Sequence, residues 1–274
     1  MLTLNYEKRR YLIFSVIAIV ITLLWIFPII YMVISSFKEE VQVTIPRLFF
    51  KPTLENYQEV ISATFFKSLN NSIIVTLGTV LFTTLLAVPA SYALVYSKVR
   101  SPNGIYFWFV STTFLPAIAV IMPVFILFQR IRMIDSHFAL ILLYTGAGVP
   151  MMIWLITNFF KEIPSDIVEA TKIDGCNRWQ TFYLVMLPLV RNGIVSAAFL
   201  VFIITWNEFF FAITITYTES TTLAVYMSKY MTQQGYFWGK MSATGTLIVM
   251  IPIVLGFSAQ KALVRGLTSG SVKG

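Results

Sequence analysis

Six long stretches of this chain contain no Asp, Glu, Lys or Arg, and they limit its possible folds more than any other feature. They cover residues 11–37, 68–97, 101–129, 136–160, 192–218 and 241–260, interrupted only by Glu208 in the fifth. A helix rises 1.5 Å per residue, so about 20 apolar residues cross the hydrocarbon of a bilayer. Every stretch reaches that length. Hydrophobic residues make up 57% of the chain and charged residues 12%, against roughly 25% charged in soluble domains. A water-soluble fold could not hide so much apolar surface. The sequence predicts an all-α integral membrane protein with six transmembrane helices. It excludes a soluble enzyme, a disordered chain and a disulfide scaffold, since Cys176 is the single cysteine.

The spans are expected at 11–34, about 70–97, 104–129, 137–160, 192–216 and 241–261, all within one transmembrane domain over 1–274 whose core runs 69–263. The first follows Lys8, Arg9 and Arg10. Its apolar run exceeds the roughly 7 to 15 residues of a signal-peptide core and lacks a small-residue cleavage site, so it reads as a retained anchor. An even number of spans puts both termini on one side, and Lys and Arg decide which side that is. With the N-terminus inside, twelve lie in inner segments and eight in outer ones, four of the eight in the first outer loop, 38–67. Both termini are therefore expected in the cytoplasm. The net charge of +8 follows the same pattern, because the basic residues lie singly or in short groups between uncharged runs. No basic stripe with interleaved aromatics points to nucleic acid.

Thr79, Thr83, Ala87 and Ser91 recur every four residues in the second span. Such a small-residue face lets helix backbones approach closely in lipid, and it reads as packing ahead of a pathway wall. Pro28, Pro89, Pro116, Pro123, Pro150 and Pro252 fall inside spans, where each removes a backbone hydrogen bond and tends to kink the helix.

Catalytic constellations are missing. His137 is the only histidine, no nucleophile–base pairing is visible, and no metal site is expected. The segment Gly239, Lys240, Met241 lacks the preceding glycine and following Ser or Thr of a phosphate loop, so no cofactor is expected in this chain. Glu208, in TWNEFFFA, is the one acid within a span. Burying its charge costs on the order of 3 kcal/mol by insertion scales, which makes it a functional candidate. Its place near the end of the span allows a helix-end role as well, and both readings stand. Trp206, Asn207, Glu208 and Phe209 together offer aromatic faces for sugar C–H groups and amide or carboxylate partners for hydroxyls. They are the candidate substrate pathway.

The inner loop 161–191 contains IPSDIVEATKIDGCNRWQTFYLVMLPLV. Pro164 ends the preceding helix, and Asp166 with Glu169 has capping-box spacing, so a short helix should start there. Asp174 and Gly175 should end it, glycine taking the left-handed cap without steric cost. Trp179, Phe182, Tyr183 and Met186 then fall at i, i+3, i+4 and i+7, one apolar face expected against the membrane surface. On physical grounds alone this short helix is equally a solvated loop or a docking element.

The residue order separates the two. EATKIDG resembles the E-A-A-x-x-x-G motif of the permease subunits of bacterial ATP-binding cassette importers. Glu169, Ala170, Asp174 and Gly175 match it directly, while Thr171 stands for the usual second alanine. KPTLENY, NNSIIVTLGTVLFTTLLAVPASYAL, PVFILF, WNEF and QKALVRGLTSGSVKG extend the resemblance over nearly the whole chain, to the smaller permease of maltose-type carbohydrate importers. GYFWGKMSATGTL is also similar to permeases of polyol importers. The resemblance implies a type-1 importer permease fold in the bacterial cell membrane. It implies that Glu169, Ala170, Thr171, Asp174 and Gly175 couple the chain to its ATPase. The implied partners are a second homologous permease, two ATPase subunits that bind ATP and Mg, and an extracytoplasmic solute-binding protein that delivers a carbohydrate. The GL-x-x-G-x-VKG ending implies contact of the tail 264–274 with the ATPase pair through Gly266, Gly270 and Lys273. The competing class is an ion-coupled secondary transporter or channel acting without ATPases, which would depend on Glu208.

Overall fold

The computed structural model describes the backbone from Leu2 to Thr268, apart from Leu48 and Gln234, and the side chains within 10–260. The described residues are mostly helical: α1 (Leu2–Ser36), α2 (Glu55–Val60), α3 (Ala63–Tyr96), α4 (Pro102–Thr112), α5 (Ala117–Arg130), α6 (His137–Lys161), α7 (Ser165–Ile173), α8 (Arg178–Gln180), α9 (Leu187–Trp206), α10 (Phe210–Ile215), α11 (Leu223–Ser228) and α12 (Trp238–Thr268). A two-residue hairpin pairs β1 (Met231–Thr232) with β2 (Gly235–Tyr236). Five helical segments are long and apolar enough to cross a membrane, and the bent pair α4–α5 makes a sixth when counted as one span.

Two of the expected spans are not straight helices. The third turns by 89° between α4 and α5, where Pro116 caps α5 in extended conformation. Proline has no N–H to continue α4, and it also disfavours the helical region for the residue before it. The fifth, expected at 192–216, ends its long helix at Trp206 and restarts as α10 after a three-residue break. At its other end it reaches back beyond 192, because α8, a π-helical segment Thr181–Met186 and α9 run on without interruption. The inner loop is thus mostly helix.

Two compact groups of residues make up the chain, 1–63 with 227–250 and 64–226 with 251–274. In the first, α1 carries no charged residue beyond Arg10, and its spanning window buries nothing within the chain, as a helix that faces lipid requires. Beyond its end, Lys38 is fully buried, donating to the Ile45 carbonyl at 3.3 Å with its ammonium 5.3 Å from the ring centres of Tyr31 and Phe50. Asn56 donates to the carbonyls of Ser36 and Lys38 at 2.9 and 2.7 Å. The Glu40 carboxylate accepts the Gly239 and Lys240 N–H groups at 3.0 and 3.3 Å and so satisfies the start of α12.

The second group holds the main core. Thr79, Thr83, Ala87 and Ser91 are fully buried; the Ser91 hydroxyl donates to the Ile153 carbonyl of α6 at 3.4 Å, and Gly148 lies against Thr83. The small-residue stripe is a packing face. Around it Val88, Met152, Ile153, Ile156, Phe160, Phe182, Met186, Val190 and Val201 form one apolar cluster, while Val75, Ile121, Phe128, Leu140, Tyr144, Ala212 and Ile215 form a second. Four prolines, Pro28, Pro89, Pro123 and Pro150, remain inside helices, as does Pro252.

Candidate functional site

The first candidate region is α7 and the turn after it. The expected capping box at Asp166 and Glu169 is not formed: Pro164 occupies the cap position, no side chain caps the helix, and Asp166 sits within the first turn. An acid there still favours the positive end of the helix. The capping box is formed eleven residues later along the loop, where Asn177 and Gln180 exchange side-chain and backbone bonds of 2.9 and 2.8 Å. Asn-x-x-Gln is as readable a signal as the pair expected.

At its other end α7 closes as expected. Gly175 adopts φ +80°, its N–H donates to the Lys172 carbonyl at 3.1 Å, and the Cys176 N–H reaches back to Thr171 at 2.9 Å. This is the paired bonding of a Schellman motif, which a left-handed glycine makes possible. Of the five residues expected to act here, Glu169, Ala170, Asp174 and Gly175 are exposed. Thr171 points inward instead. Its hydroxyl bonds to the Val168 carbonyl at 2.8 Å and to the Thr181 hydroxyl at 3.0 Å, fastening α7 to the π-helical segment. A Cβ added to Gly175 would meet nothing within 4 Å. The exposed side of this turn is open surface.

The apolar face expected from Trp179 to Met186 is split in two. Phe182 and Met186 are buried in the core, whereas Trp179 and Tyr183 are 68% and 55% exposed and stack on each other at 6.0 Å. The π-helical turn is the cause. With i→i+5 bonding its turns are wider, so residues four apart align in two separate rows.

The second region is the break at Asn207–Phe209. Trp206 is buried, its ring stacked on Phe202 at 5.6 Å. Asn207 is exposed and donates to the Ile203 carbonyl at 2.8 Å. Phe209 is 40% exposed. Glu208 is half-buried: one carboxylate oxygen accepts the Phe211 N–H at 2.9 Å, and the other accepts the Ala212 N–H at 3.2 Å and the Tyr144 hydroxyl at 2.5 Å. Four residues adjacent in sequence therefore alternate between an inward pair and an outward pair. A cavity of about 140 Å³ lies beside them, lined by Tyr144, Gly148, Val201, Thr205, Glu208 and Phe211 among others. A larger cavity, about 910 Å³, lies inside the α4–α5 bend and is walled by apolar side chains such as Phe114, Val124, Leu143, Met151 and Trp154. It offers hydroxyl-rich ligands little to bond to.

A third cluster has no local signature in the sequence. Asp135, at φ 60° between α5 and α6, accepts the N–H groups of Tyr217, Thr218, Glu219 and Ser220 at 3.0 to 3.1 Å, with the Thr218 and Ser220 hydroxyls added. Burial pushes its carboxyl up, but those four backbone donors outweigh burial and hold it well below the usual carboxylate range. Nearby, Asn71 donates to the carbonyls of Glu219 and Thr221 and bonds His137 at 2.7 Å, and Lys67 pairs with Glu219 at 2.9 Å. His137 is thus part of a structural network. The tail candidates divide: Gly266 falls within α12, while Gly270 and Lys273 lie outside the described residues.

Long apolar helices, one of them bent and another broken, with a glycine-closed helix between the fourth and fifth spans, mark a multi-pass integral membrane protein. Residues 80–269 match the binding-protein-dependent transport system inner membrane component family, and the chain belongs to that family. It is 35% identical over 270 residues to a probable ABC transporter permease protein, y4oR, of Sinorhizobium fredii, covering 97% of each chain. It is 30% identical to the trehalose/maltose transport system permease protein MalG of Thermococcus litoralis, covering 94% of this chain and 95% of that one. Its fold is that of a chain in the crystal structure of a bacterial ABC transporter involved in the import of the acidic polysaccharide alginate, with a TM-score of 0.75 at 23% identity, covering 93% and 96% of the two chains. The type-1 permease fold expected from the sequence is the fold found.

Proposed function

We propose that this chain is the permease subunit of an ATP-driven importer that moves a sugar or oligosaccharide, or a polyol of similar chemistry, into the cytoplasm by alternating access. The observation that carries the reading is the exposed, glycine-closed α7, with Glu169, Ala170, Asp174 and Gly175 on open surface. It has the form a partner's cleft could close over. The relative from Thermococcus litoralis, named for trehalose and maltose transport, supports the carbohydrate class.

In this reading both termini and α7 are cytoplasmic, two ATPase subunits hold the ATP and Mg, a homologous permease completes the bundle, and a solute-binding protein delivers the substrate. The chain itself holds no cofactor. The substrate passes near Trp206–Phe209, where Asn207 supplies an exposed amide and Phe209 an exposed ring. The tail, with Gly266, Gly270 and Lys273, lies against the ATPase pair. The ion-coupled alternative has less support, since three donors already occupy the one intramembrane carboxylate.

Affinity purification of the chain in lipid nanodiscs, followed by mass spectrometry, should recover a second permease and ATPase subunits. Asn207→Ala and Phe209→Ala in the reconstituted complex should each lower uptake about tenfold, the cost of about one lost substrate bond. A chain that purifies alone and transports a sugar without ATP would overturn the reading.

A further inference from the structure

The same carboxylate that made Glu208 a substrate candidate has a different set of partners in the structure. It closes the break between α9 and α10 from within. The first turn of α10 presents N–H groups that no preceding helical turn can satisfy, and Glu208 accepts two of them, from Phe211 and Ala212, at 2.9 and 3.2 Å. The third bond comes from Tyr144 on α6, a side chain only 4% exposed, whose hydroxyl meets the same oxygen that accepts Ala212. The remaining wall of the adjoining cavity is mostly apolar, with Ala147, Met151, Val201 and Ile204. A carboxylate in such surroundings holds only with several donors, and here they are all the protein's own.

We infer that Glu208 and Tyr144 act as one positioning unit: the Tyr144 hydroxyl orients the Glu208 carboxylate, which fixes the helix break and so sets the exposed neighbours Asn207 and Phe209 at the angle transport requires. The inference rests on the proposed pathway at 206–209. In it Glu208 acts through the backbone, and substrate meets the residues on either side. The geometry also explains why the break forms at this point with no proline or glycine in Trp206–Phe210. Glu208 N–H still bonds the Thr205 carbonyl at 3.2 Å, closing α9, while its side chain opens α10. One residue ends one helix and starts the next.

The test uses the assembled importer, with its partner permease, ATPases and binding protein, in proteoliposomes. Substrate taken up per ATP hydrolysed is compared for wild type, Tyr144→Phe, Glu208→Gln and the double variant. That ratio is insensitive to how much complex has folded, so a merely destabilising change leaves it alone. Each single variant should lower the ratio about tenfold, the loss of one buried charge-assisted bond. The double variant should fall within about twofold of the lower single, because the two groups work as a unit. Wild-type coupling in Tyr144→Phe would overturn the inference, as would losses that multiply in the double variant. Tyr144→Phe removes one oxygen and keeps the ring packed, so it decides the matter even if Glu208→Gln does not assemble. If the pair behaves as a unit while Asn207→Ala and Phe209→Ala transport normally, the positioning unit stands and the pathway reading fails.

Discussion

At Asp135 a single carboxylate organises a whole connection. Four consecutive backbone N–H groups, from Tyr217 to Ser220, converge on it, so the segment after α10 is tied to the turn before α6 at a point where neither has regular structure. An Asn side chain keeps one acceptor oxygen and puts a donor where the other was. Asp135→Asn should therefore destabilise the protein by about 1–2 kcal/mol, the usual cost of donors left without partners. The pH dependence follows from the depressed carboxyl. A group held below its unfolded value contributes stability that is complete above the ordinary carboxylate range and is lost as pH falls through that range toward the folded value. Thermal unfolding of the purified protein between pH 7 and pH 3 should show a steep acid loss in wild type and a shallower one in Asp135→Asn. Equal acid slopes would remove the role assigned to this cluster. A sequence reader sees only an Asp before a helix. Its partners lie more than eighty residues away, and no local pattern announces them.

Two elements depend on contacts as close as these. Gly193 of α9 lies so near Phe159 of α6 that a Cβ added there would fall 2.5 Å from the ring. Gly193→Ala must displace the ring or part the helices, which should lower stability by about 1–3 kcal/mol, measurable as reduced thermal stability at unchanged expression. For α7 the decisive contact is the Thr171–Thr181 hydroxyl pair. Thr171→Val keeps the shape and leaves the Thr181 hydroxyl without its partner, at a cost of about 1 kcal/mol, so α7 amides should exchange roughly fivefold faster. Unchanged protection would show that apolar packing of Val168 alone holds the helix. Thr171 stood out in the sequence only as a departure from the expected alanine. Its inward direction became visible once the π-helical turn placed Thr181 opposite.

At the scale of the molecule, the spans were legible because lipid offers no partners to an open backbone, so long uncharged runs must be helical. The breaks within them were less so. Pro116 marks the α4–α5 bend, yet Pro89, Pro123, Pro150 and Pro252 sit inside continuous helices, so proline alone does not say which span turns. The α9–α10 break has no such mark and is held by a side-chain pair 64 residues apart in sequence. Gly175 was the most readable site residue, because a helix that must stop in the left-handed region selects glycine locally, and the observed φ of +80° shows the stop.

That residue also gives the most direct test of the central claim, that α7 couples this chain to an ATPase. A valine at a left-handed position costs roughly 1–2 kcal/mol of backbone strain, and its Cβ would meet nothing within 4 Å. Strain of that size, confined to a surface turn, should leave the spans inserted and folded. Uptake and substrate-stimulated ATP hydrolysis should be measured in the reconstituted Gly175→Val complex at matched membrane levels. The account predicts that the ATPase dissociates or hydrolyses without uptake, with transport below about a tenth of wild type, far more than a local strain of this size would produce. Near-normal uptake and stimulation together would contradict it.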